Sequence, residues 1–299
     1  MVGRVVGIYG QRVEVASLGR SVRAIVRGRL KYGESDSSLI AVGDYVELFQ
    51  RPNEIAMIDK ICGRGSCISR PAVEKEGIIQ IIVSNVDRMV IVTSLAEPSF
   101  KSGLVDRFLV IAFKENIHPV LVINKIDLSD PKEVATEIDA WRRISVDVLC
   151  SSAVTGDGIE SLKNILRTGT SVIVGHSGVG KSSLLNRVNP DLKLKIGRIS
   201  GSLRGTHATS RVSLFQIFPD GWVADTPGLR DLGLVGVTKK NLRDYFPDIA
   251  QLDTPCQFAN CAHIKEPGCA VKKTVGEPNP EIAAFRFKNY KSIYESLTE

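Results

Sequence analysis

The chain has 299 residues, of which 43% are hydrophobic and 24% charged, and its formal net charge at pH 7 is +6. This length allows two or three domains with buried cores, and the mild positive charge permits a polyanionic partner without requiring one. The sequence has no apolar run near the roughly 20 residues of a membrane-spanning helix and starts without a signal peptide, so we expect a cytoplasmic protein.

Residues 1–68 are predicted to form a small β-barrel domain. Short alternating segments bounded by Gly, Pro, Asn and Ser predict five strands, at 4–8, 12–17, 22–26, 45–49 and 56–61. Five such strands favour an OB-type barrel, although an SH3-like barrel would give a similar pattern. The middle of the segment is basic, which suits either a solvated strand face or a nucleic-acid contact. Its cations are Arg20, Arg23, Arg27, Arg29 and Lys31.

Residues 72–235 alternate between strand and helix patterns. The predicted strands are 89–93, 120–123, 146–150, 171–174 and 222–224. The predicted helices are 105–114, 131–143, 159–166 and 182–188. This alternation indicates a mostly parallel sheet covered by helices on both faces, so the expected fold class is multidomain α/β.

A glycine-rich segment lies between the predicted strand 171–174 and the helix that follows. It matches the pattern G-x-x-x-x-G-K-[ST] and consists of Gly175, His176, Ser177, Gly178, Val179, Gly180, Lys181 and Ser182. Such a loop binds phosphates through its backbone N–H groups and the helix N-terminus. Lys181 is expected to act on the β- and γ-phosphates, Ser182 to ligate Mg²⁺, and Ser183 to contact the nucleotide. The loop by itself does not separate ATP from GTP.

Two further segments suggest how a base is selected. The first follows the strand 120–123 and consists of Asn124, Lys125, Ile126 and Asp127. An Asp carboxylate there can accept hydrogen bonds from both N1–H and the exocyclic amine of guanine, a donor pair that adenine lacks. The second segment, which also follows a strand and resembles the second base-contacting loop of GTPases, consists of Ser151, Ser152 and Ala153.

A fourth element follows the predicted strand 222–224. It matches D-x-x-G and consists of Asp225, Thr226, Pro227 and Gly228. Asp225 is expected to hold Mg²⁺ through water, and the Gly228 N–H to sense the γ-phosphate. Between the glycine-rich loop and this motif, Thr209 is expected to complete the Mg²⁺ shell. Most GTPases carry these elements in another order, with the phosphate loop first, so we expect a circularly permuted GTPase domain.

The residue after D-x-x-G is Leu229, where Ras-like enzymes have a glutamine that orients water, so unaided hydrolysis should be slow. We hypothesise that His207 orients the attacking water once a partner orders this segment. The equal alternative is that His207 contacts RNA or is simply exposed to solvent. Residues 192–219 carry five cations and no acidic residue, which suits ordering against RNA phosphates but also contact with the phosphates of the nucleotide.

The C-terminal segment, 236–299, contains a cluster of three cysteines and one histidine before a helix predicted at 281–297. The cluster consists of Cys256, Cys261, His263 and Cys269. Three thiolates and an imidazole within fourteen residues form a set typical of one structural Zn²⁺, whereas buried thiols or a redox pair are the alternatives. Cys62 and Cys67 have similar spacing but no further partners nearby, so ordinary packing is expected for them.

The combination of permuted order and cysteine spacing resembles the RsgA (YjeQ-type) family of bacterial GTPases over essentially the whole chain. The resemblance implies an N-terminal OB-fold, a permuted GTPase domain at 72–235 and an α-helical zinc-binding domain at 236–299. It also implies action in late assembly of the 30S ribosomal subunit, contact with 16S rRNA, and activation by the subunit. The family carries a run of threonines after the switch histidine, whereas here Ala208, Thr209 and Ser210 follow it, so the Mg²⁺ ligand is Thr209 or Ser210.

Three other functions would use some of the same motifs. A catalyst acting on a small molecule could use the same phosphate loop, but no additional cluster of carboxylates or nucleophiles suggests a substrate pocket. A zinc- and OB-containing scaffold with an inactive nucleotide site is disfavoured by Lys181, Ser182 and Asp225. A GTP-dependent RNA-binding regulator with a non-ribosomal partner remains open. Nothing in the sequence demands more than a monomer.

Overall fold

The computed structural model describes residues 1–26, 40–51, 54–71, 79–194, 212–225, 233–275 and 281–297. Within these ranges the chain forms 13 strands and seven α-helices. None of the helices in the described ranges combines the length and the apolar composition that crossing a bilayer requires.

The N-terminal strands form a closed barrel. They are β1 (Val2–Tyr9), β2 (Arg12–Ser17), β3 (Arg20–Val26), β4 (Tyr45–Phe49) and β5 (Ala56–Ile61). They pair in the order β1-β2-β3-β5-β4, and β4 pairs back onto β1. Alternate residues of β2, Val13 and Val15, are buried inside because strand side chains alternate between faces. The predicted five-stranded barrel is confirmed, and it is of the OB type.

A hairpin that the sequence analysis did not predict follows the barrel. It consists of β6 (Cys67–Pro71) and β7 (Ile79–Ser84), which pair antiparallel. The fully buried Asp44 joins it to the barrel, because its carboxylate accepts a hydrogen bond of 2.7 Å from Ser84 Oγ and two, of 2.7 and 2.8 Å, from Arg64. The barrel also continues into the main sheet, since Gly7 of β1 pairs with Ser213.

The central sheet contains six strands. They are β8 (Arg88–Ser94), β9 (His118–Asn124), β10 (Asp147–Ser151), β11 (Thr168–Val174), β12 (Ser213–Phe218) and β13 (Asp220–Asp225). Their order is β10-β9-β8-β11-β13-β12, and neighbours run parallel except β12, which is antiparallel to β13. The five predicted strands are confirmed with ends shifted by a few residues, whereas β12 was not predicted.

Helices cover both faces of this sheet. They are α1 (Ser102–Lys114), α2 (Ala135–Arg143), α3 (Ile159–Leu166) and α4 (Lys181–Val188). Successive residues of β8 enter two different cores: Met89 and Ile91 pack in one, and Val90 and Val92 in the other. The nearly continuous apolar sequences of β8 and β9 follow from this burial on both faces. The predicted helix 131–143 is divided, because a 3₁₀ turn at Pro131–Val134 precedes α2.

The C-terminal segment is helical, as expected. It contains a 3₁₀ turn (Leu242–Tyr245), α5 (Pro247–Ala250), α6 (Ala270–Val275) and α7 (Ala284–Ser296), and α7 packs against α1. The helix predicted at 281–297 corresponds to α7, whereas α5 and α6 were not predicted.

A buried ion cluster fixes α7 to the central domain. Arg286 is 1% exposed, and its guanidinium donates to Asp106 of α1 at 2.5 Å and to both carboxylate oxygens of Asp248 at 2.8 and 2.9 Å. Asp106 also accepts hydrogen bonds from Trp141 Nε1 (2.8 Å) and Asn289 Nδ2 (2.7 Å). Burial would lower the pKa of Arg286, but the two carboxylates raise it above its ordinary value. Burial also raises the pKa of Asp106, and the Arg286 charge and the hydrogen bonds that Asp106 accepts act against this rise. The guanidinium and the two carboxylates are thus hydrogen-bonded to one another in the interior.

We expect Arg286→Ala to lower the free energy of unfolding by about 3–5 kcal/mol, because it leaves two carboxylates without a cation in the interior. Urea titration followed by tryptophan fluorescence measures this loss. Lys288→Ala, on the exposed side of the same helix, is the matched control and should change stability by less than about 0.5 kcal/mol. Equal stabilities for the two variants would contradict the structural role of the cluster.

Candidate nucleotide and metal sites

The glycine-rich segment forms a loop between β11 and α4. Gly175 and Gly180 have φ of +138° and +95°, in the region that side chains rarely adopt. A Cβ at Gly175 would overlap the Val92 carbonyl oxygen, and one at Gly180 would overlap the side-chain amide of Asn124. These two glycines therefore allow the loop to lie directly against neighbouring strand ends.

Lys181, the first residue of α4, folds back over this loop. Its Nζ donates to the carbonyl oxygens of Gly175 (2.8 Å) and His176 (2.7 Å). Ser182 is 6% exposed at the same helix terminus, and Val179 is buried in the core beneath it. The structure thus places a cation, a hydroxyl and a helix N-terminus around one concave loop, which is an arrangement suited to phosphate.

Asn124 connects three loops at the carboxyl edge of the sheet. It ends β9, and the parallel register sets it beside Ser151, which ends β10. Its Nδ2 donates to the Val179 carbonyl of the phosphate loop at 2.8 Å, and its Oδ1 accepts from the Ala153 N–H at 3.3 Å. The buried amide therefore fixes the distance between the phosphate loop and both expected base-reading segments.

Asp127 is exposed beside this junction. Its Oδ1 accepts a hydrogen bond of 2.5 Å from Ser152 Oγ, and Ser152 in turn accepts from the N–H groups of Val154 (3.2 Å) and Thr155 (3.1 Å). The Ile126 N–H donates to the Ser151 carbonyl at 3.3 Å. The carboxylate is thus oriented by the second segment, as a residue that reads a base edge requires.

One contact at this site was not anticipated from the sequence. Lys125, at φ +66°, donates from Nζ to the backbone carbonyl of Glu97 at 2.5 Å. That carbonyl lies in the connection between β8 and α1, and Pro98 from the same connection approaches Gly178. A backbone acceptor carries no side-chain signal, so the sequence offered nothing by which to find it.

The D-x-x-G segment is only partly within the described residues. Asp225 is the last residue of β13, which lies parallel to β11, so its backbone ends at the same edge as the phosphate loop. Gly228, His207, Thr209 and Ser210 lie outside the described residues. The roles expected for them remain predictions.

The three cysteines and the histidine of the C-terminal segment come together. Their ligand atoms all lie within 4.8 Å of one another. Cys256 Sγ is 3.9 Å from Cys269 Sγ, and His263 Nδ1 is 3.5 Å from each of these sulfurs. A tetrahedral zinc ion with Zn–S of about 2.3 Å and Zn–N of about 2.0 Å has S–S edges of about 3.8 Å and S–N edges of about 3.5 Å. The cluster, which includes the buried Cys261, could therefore hold one zinc ion.

Protonation in this cluster depends on its environment. Burial raises the pKa of the Cys261 thiol to about 12 and also raises the pKa of Cys269. A bound divalent cation would instead lower the pKa of these thiols, because a coordinating thiol is deprotonated.

Cys67 lies outside the cluster, and its thiol donates to the Glu115 carboxylate at 3.6 Å, in keeping with the packing role expected for it.

Comparisons with known proteins agree with this geometry. The family model described as RsgA GTPase matches residues 61–235. A protein named small ribosomal subunit biogenesis GTPase RsgA from Chlorobaculum tepidum is 38% identical over 275 residues, covering 88% of this chain and 87% of the relative. A protein of the same name from Bacillus cereus is 41% identical over 230 residues, covering 75% of this chain and 77% of the relative.

Two solved structures share the fold over almost the entire chain. YjeQ from Thermotoga maritima superposes with a TM-score of 0.79 at 32% identity, covering 99% of this chain and 98% of that one. YloQ, described as a circularly permuted GTPase, superposes with a TM-score of 0.74 at 27% identity, covering 99% and 94%. The segments expected to read the base precede the phosphate loop in this chain, and with this extent of similarity the chain belongs to the RsgA GTPase family.

Proposed function

We propose that this GTPase acts in late assembly of the small (30S) ribosomal subunit, and that the subunit stimulates its hydrolysis of GTP. The observation that best supports GTP binding is the convergence of three loops on Asn124, with Asp127 oriented by Ser152 beside them. The ribosomal part is supported by the names of relatives that align with most of the chain. We further propose that the protein acts in the cytoplasm, as a monomer that contacts 16S rRNA.

In this proposal the phosphate loop, 175–180, wraps the phosphates of GTP through its backbone N–H groups. Lys181 exchanges its present carbonyl partners for the β- and γ-phosphates, which are stronger acceptors for an ammonium group. Ser182, Asp225 and Thr209 are the groups proposed to hold Mg²⁺, directly or through water. The ion supplies positive charge against the phosphate oxygens as negative charge shifts during transfer.

The base is proposed to be selected by Asp127. Its carboxylate is oriented by Ser152 and is exposed on the other side, so it is available to two N–H donors on one edge of guanine. Lys125, held by the Glu97 carbonyl, is proposed to lie against the base. An adenine would present an unfavourable edge to the same carboxylate.

Water activation is proposed to depend on the partner. Leu229 cannot hydrogen-bond water, so His207 is proposed to orient the attacking water when the subunit orders its segment. The cations in the segment containing His207 suit contact with rRNA phosphates, which makes the affinity sensitive to salt.

The Cys₃His cluster is proposed to bind a structural zinc ion. All four positions of a tetrahedron are filled by Cys256, Cys261, His263 and Cys269, so the site has no open position for a substrate. The bound ion would cross-link the short loops between α5 and α6. We further propose domain bounds of 1–68, 72–235 and 236–299.

Asp127→Asn tests base selection. We expect GTP affinity to fall by about 100-fold or more, because the amide replaces one acceptor with a donor that opposes a guanine N–H. Xanthosine triphosphate, which has an acceptor where guanine has its amine, should gain affinity. Binding titrations with both nucleotides measure the exchange, and Asp139→Asn on the exposed face of α2 is the matched control. Unchanged GTP binding by Asp127→Asn would contradict the assignment.

Turnover of GTP and ATP, alone and with isolated 30S subunits, tests the proposed function. We expect slow, GTP-specific hydrolysis whose rate rises about tenfold or more when 30S subunits are added. The Lys181→Ala substitution should abolish this hydrolysis. His207→Ala should bind 30S normally yet lose the stimulation if the imidazole orients water. Weakened 30S binding by His207→Ala would instead indicate that the imidazole contacts RNA. A wild-type rate that does not respond to 30S would contradict the ribosomal role and direct attention to a non-ribosomal RNA partner.

A further inference from the structure

The loop between Cys261 and Cys269 carries a carboxylate that faces its own backbone. Glu266 Oε1 accepts a hydrogen bond from the Ala262 N–H at 2.9 Å, and Oε2 accepts from the N–H groups of Ile264 and Lys265, both at 3.0 Å. Three backbone donors therefore converge on one side chain. Such a group of N–H donors around an anion fixes the backbone that supplies them.

The residue enclosed by these donors is His263. Its φ is +63°, in the left-handed region that costs a non-glycine residue about 1 kcal/mol or more. This conformation turns the imidazole inward, where Nδ1 lies 3.5 Å from the sulfurs of Cys256 and Cys269. The hydrogen bonds to Glu266 come from the residues on both sides of His263, so they offset the cost of this turn.

Two other contacts hold the same loop without acting on the turn. Tyr290 Oη donates to the Ala262 carbonyl at 3.0 Å, and Lys272 Nζ donates to the backbone carbonyl of Glu266 at 3.0 Å. They connect the loop to α7 and α6. Both contacts end on carbonyl oxygens, so neither could replace the carboxylate of Glu266 as acceptor for the N–H groups around His263.

We propose that Glu266 is a positioning residue for zinc, which sets the backbone so that His263 meets the metal without rearrangement. This inference rests on the zinc site proposed above. Without the carboxylate, the three N–H groups turn to water and His263 relaxes toward negative φ, which moves the imidazole away from the sulfurs. Zinc is then held by the three thiolates, and the imidazole of His263 must return to its position each time zinc binds.

The rate of zinc loss from the full-length protein tests this role. Wild type, Glu266→Gln, Glu266→Ala and the control Glu295→Gln, on an exposed position of α7, are each mixed with a chromogenic chelator in excess. Removing a supporting partner of a metal ligand typically lowers metal affinity by about 10–100-fold, so we expect zinc transfer from Glu266→Ala to accelerate by about the same factor. Glu266→Gln should be intermediate because its amide keeps one oxygen acceptor, and Glu295→Gln should match wild type.

Two readouts separate positioning from general stability. The absorption bands of the cobalt-substituted protein should shift in Glu266→Ala as the imidazole loosens. The substitution should also lower the temperature of thermal unfolding more in zinc-loaded than in zinc-stripped protein. Transfer from Glu266→Ala at the wild-type rate would overturn the proposal, as would equal destabilisation of stripped and loaded protein. If Glu266→Ala does not fold, the comparison of Glu266→Gln with Glu295→Gln decides in the same way. A wild-type protein without stoichiometric zinc would overturn the zinc site itself, which is a distinct failure.

Discussion

The nucleotide site depends on one buried amide, the side chain of Asn124, which hydrogen-bonds to the phosphate loop and to the loop after β10. Three segments that are distant in the sequence thereby acquire fixed separations. Asn124 can do this because β9 lies between β8 and β10 in a parallel sheet, so that their carboxyl ends meet at one edge. The chain order of the segments is irrelevant to this geometry. A permuted chain can therefore build the same site as an unpermuted one.

The permutation does change what each end of the domain is connected to. The segment beyond β13 leads into the C-terminal helices, and these are not loosely attached, since Arg286 bonds Asp106 of α1 and Asp248 of α5 in the interior. The C-terminal helices, with the Cys₃His cluster among them, and the central sheet thus share one core.

Most of the fold and nearly all of the described site could be predicted from the sequence, because the relevant signals are local. The phosphate loop, the base-reading segments and the metal cluster are each short patterns of side-chain chemistry next to apolar strands or turns. The elements that were missed lack such a signal. Strand β12 is an antiparallel strand that is only half buried, and the β6–β7 hairpin is defined by pairing between segments separated by several residues. The contacts of the Glu97 carbonyl and of the Glu266 carboxylate were missed because each has a backbone group as one partner. Every residue has such groups, so composition could not reveal these contacts.

The most direct test of the account is calorimetric titration of GDP and ADP into wild type and Asn124→Ala, with Asn164→Ala on the exposed face of α3 as the control. The account predicts one GDP site per chain, ADP binding weaker by about 100-fold or more, and a loss of GDP affinity of about 10–100-fold in Asn124→Ala alone. Equal affinities for GDP and ADP, or an Asn124→Ala variant that binds GDP as tightly as wild type, would contradict the claim that this amide assembles a guanine-nucleotide site.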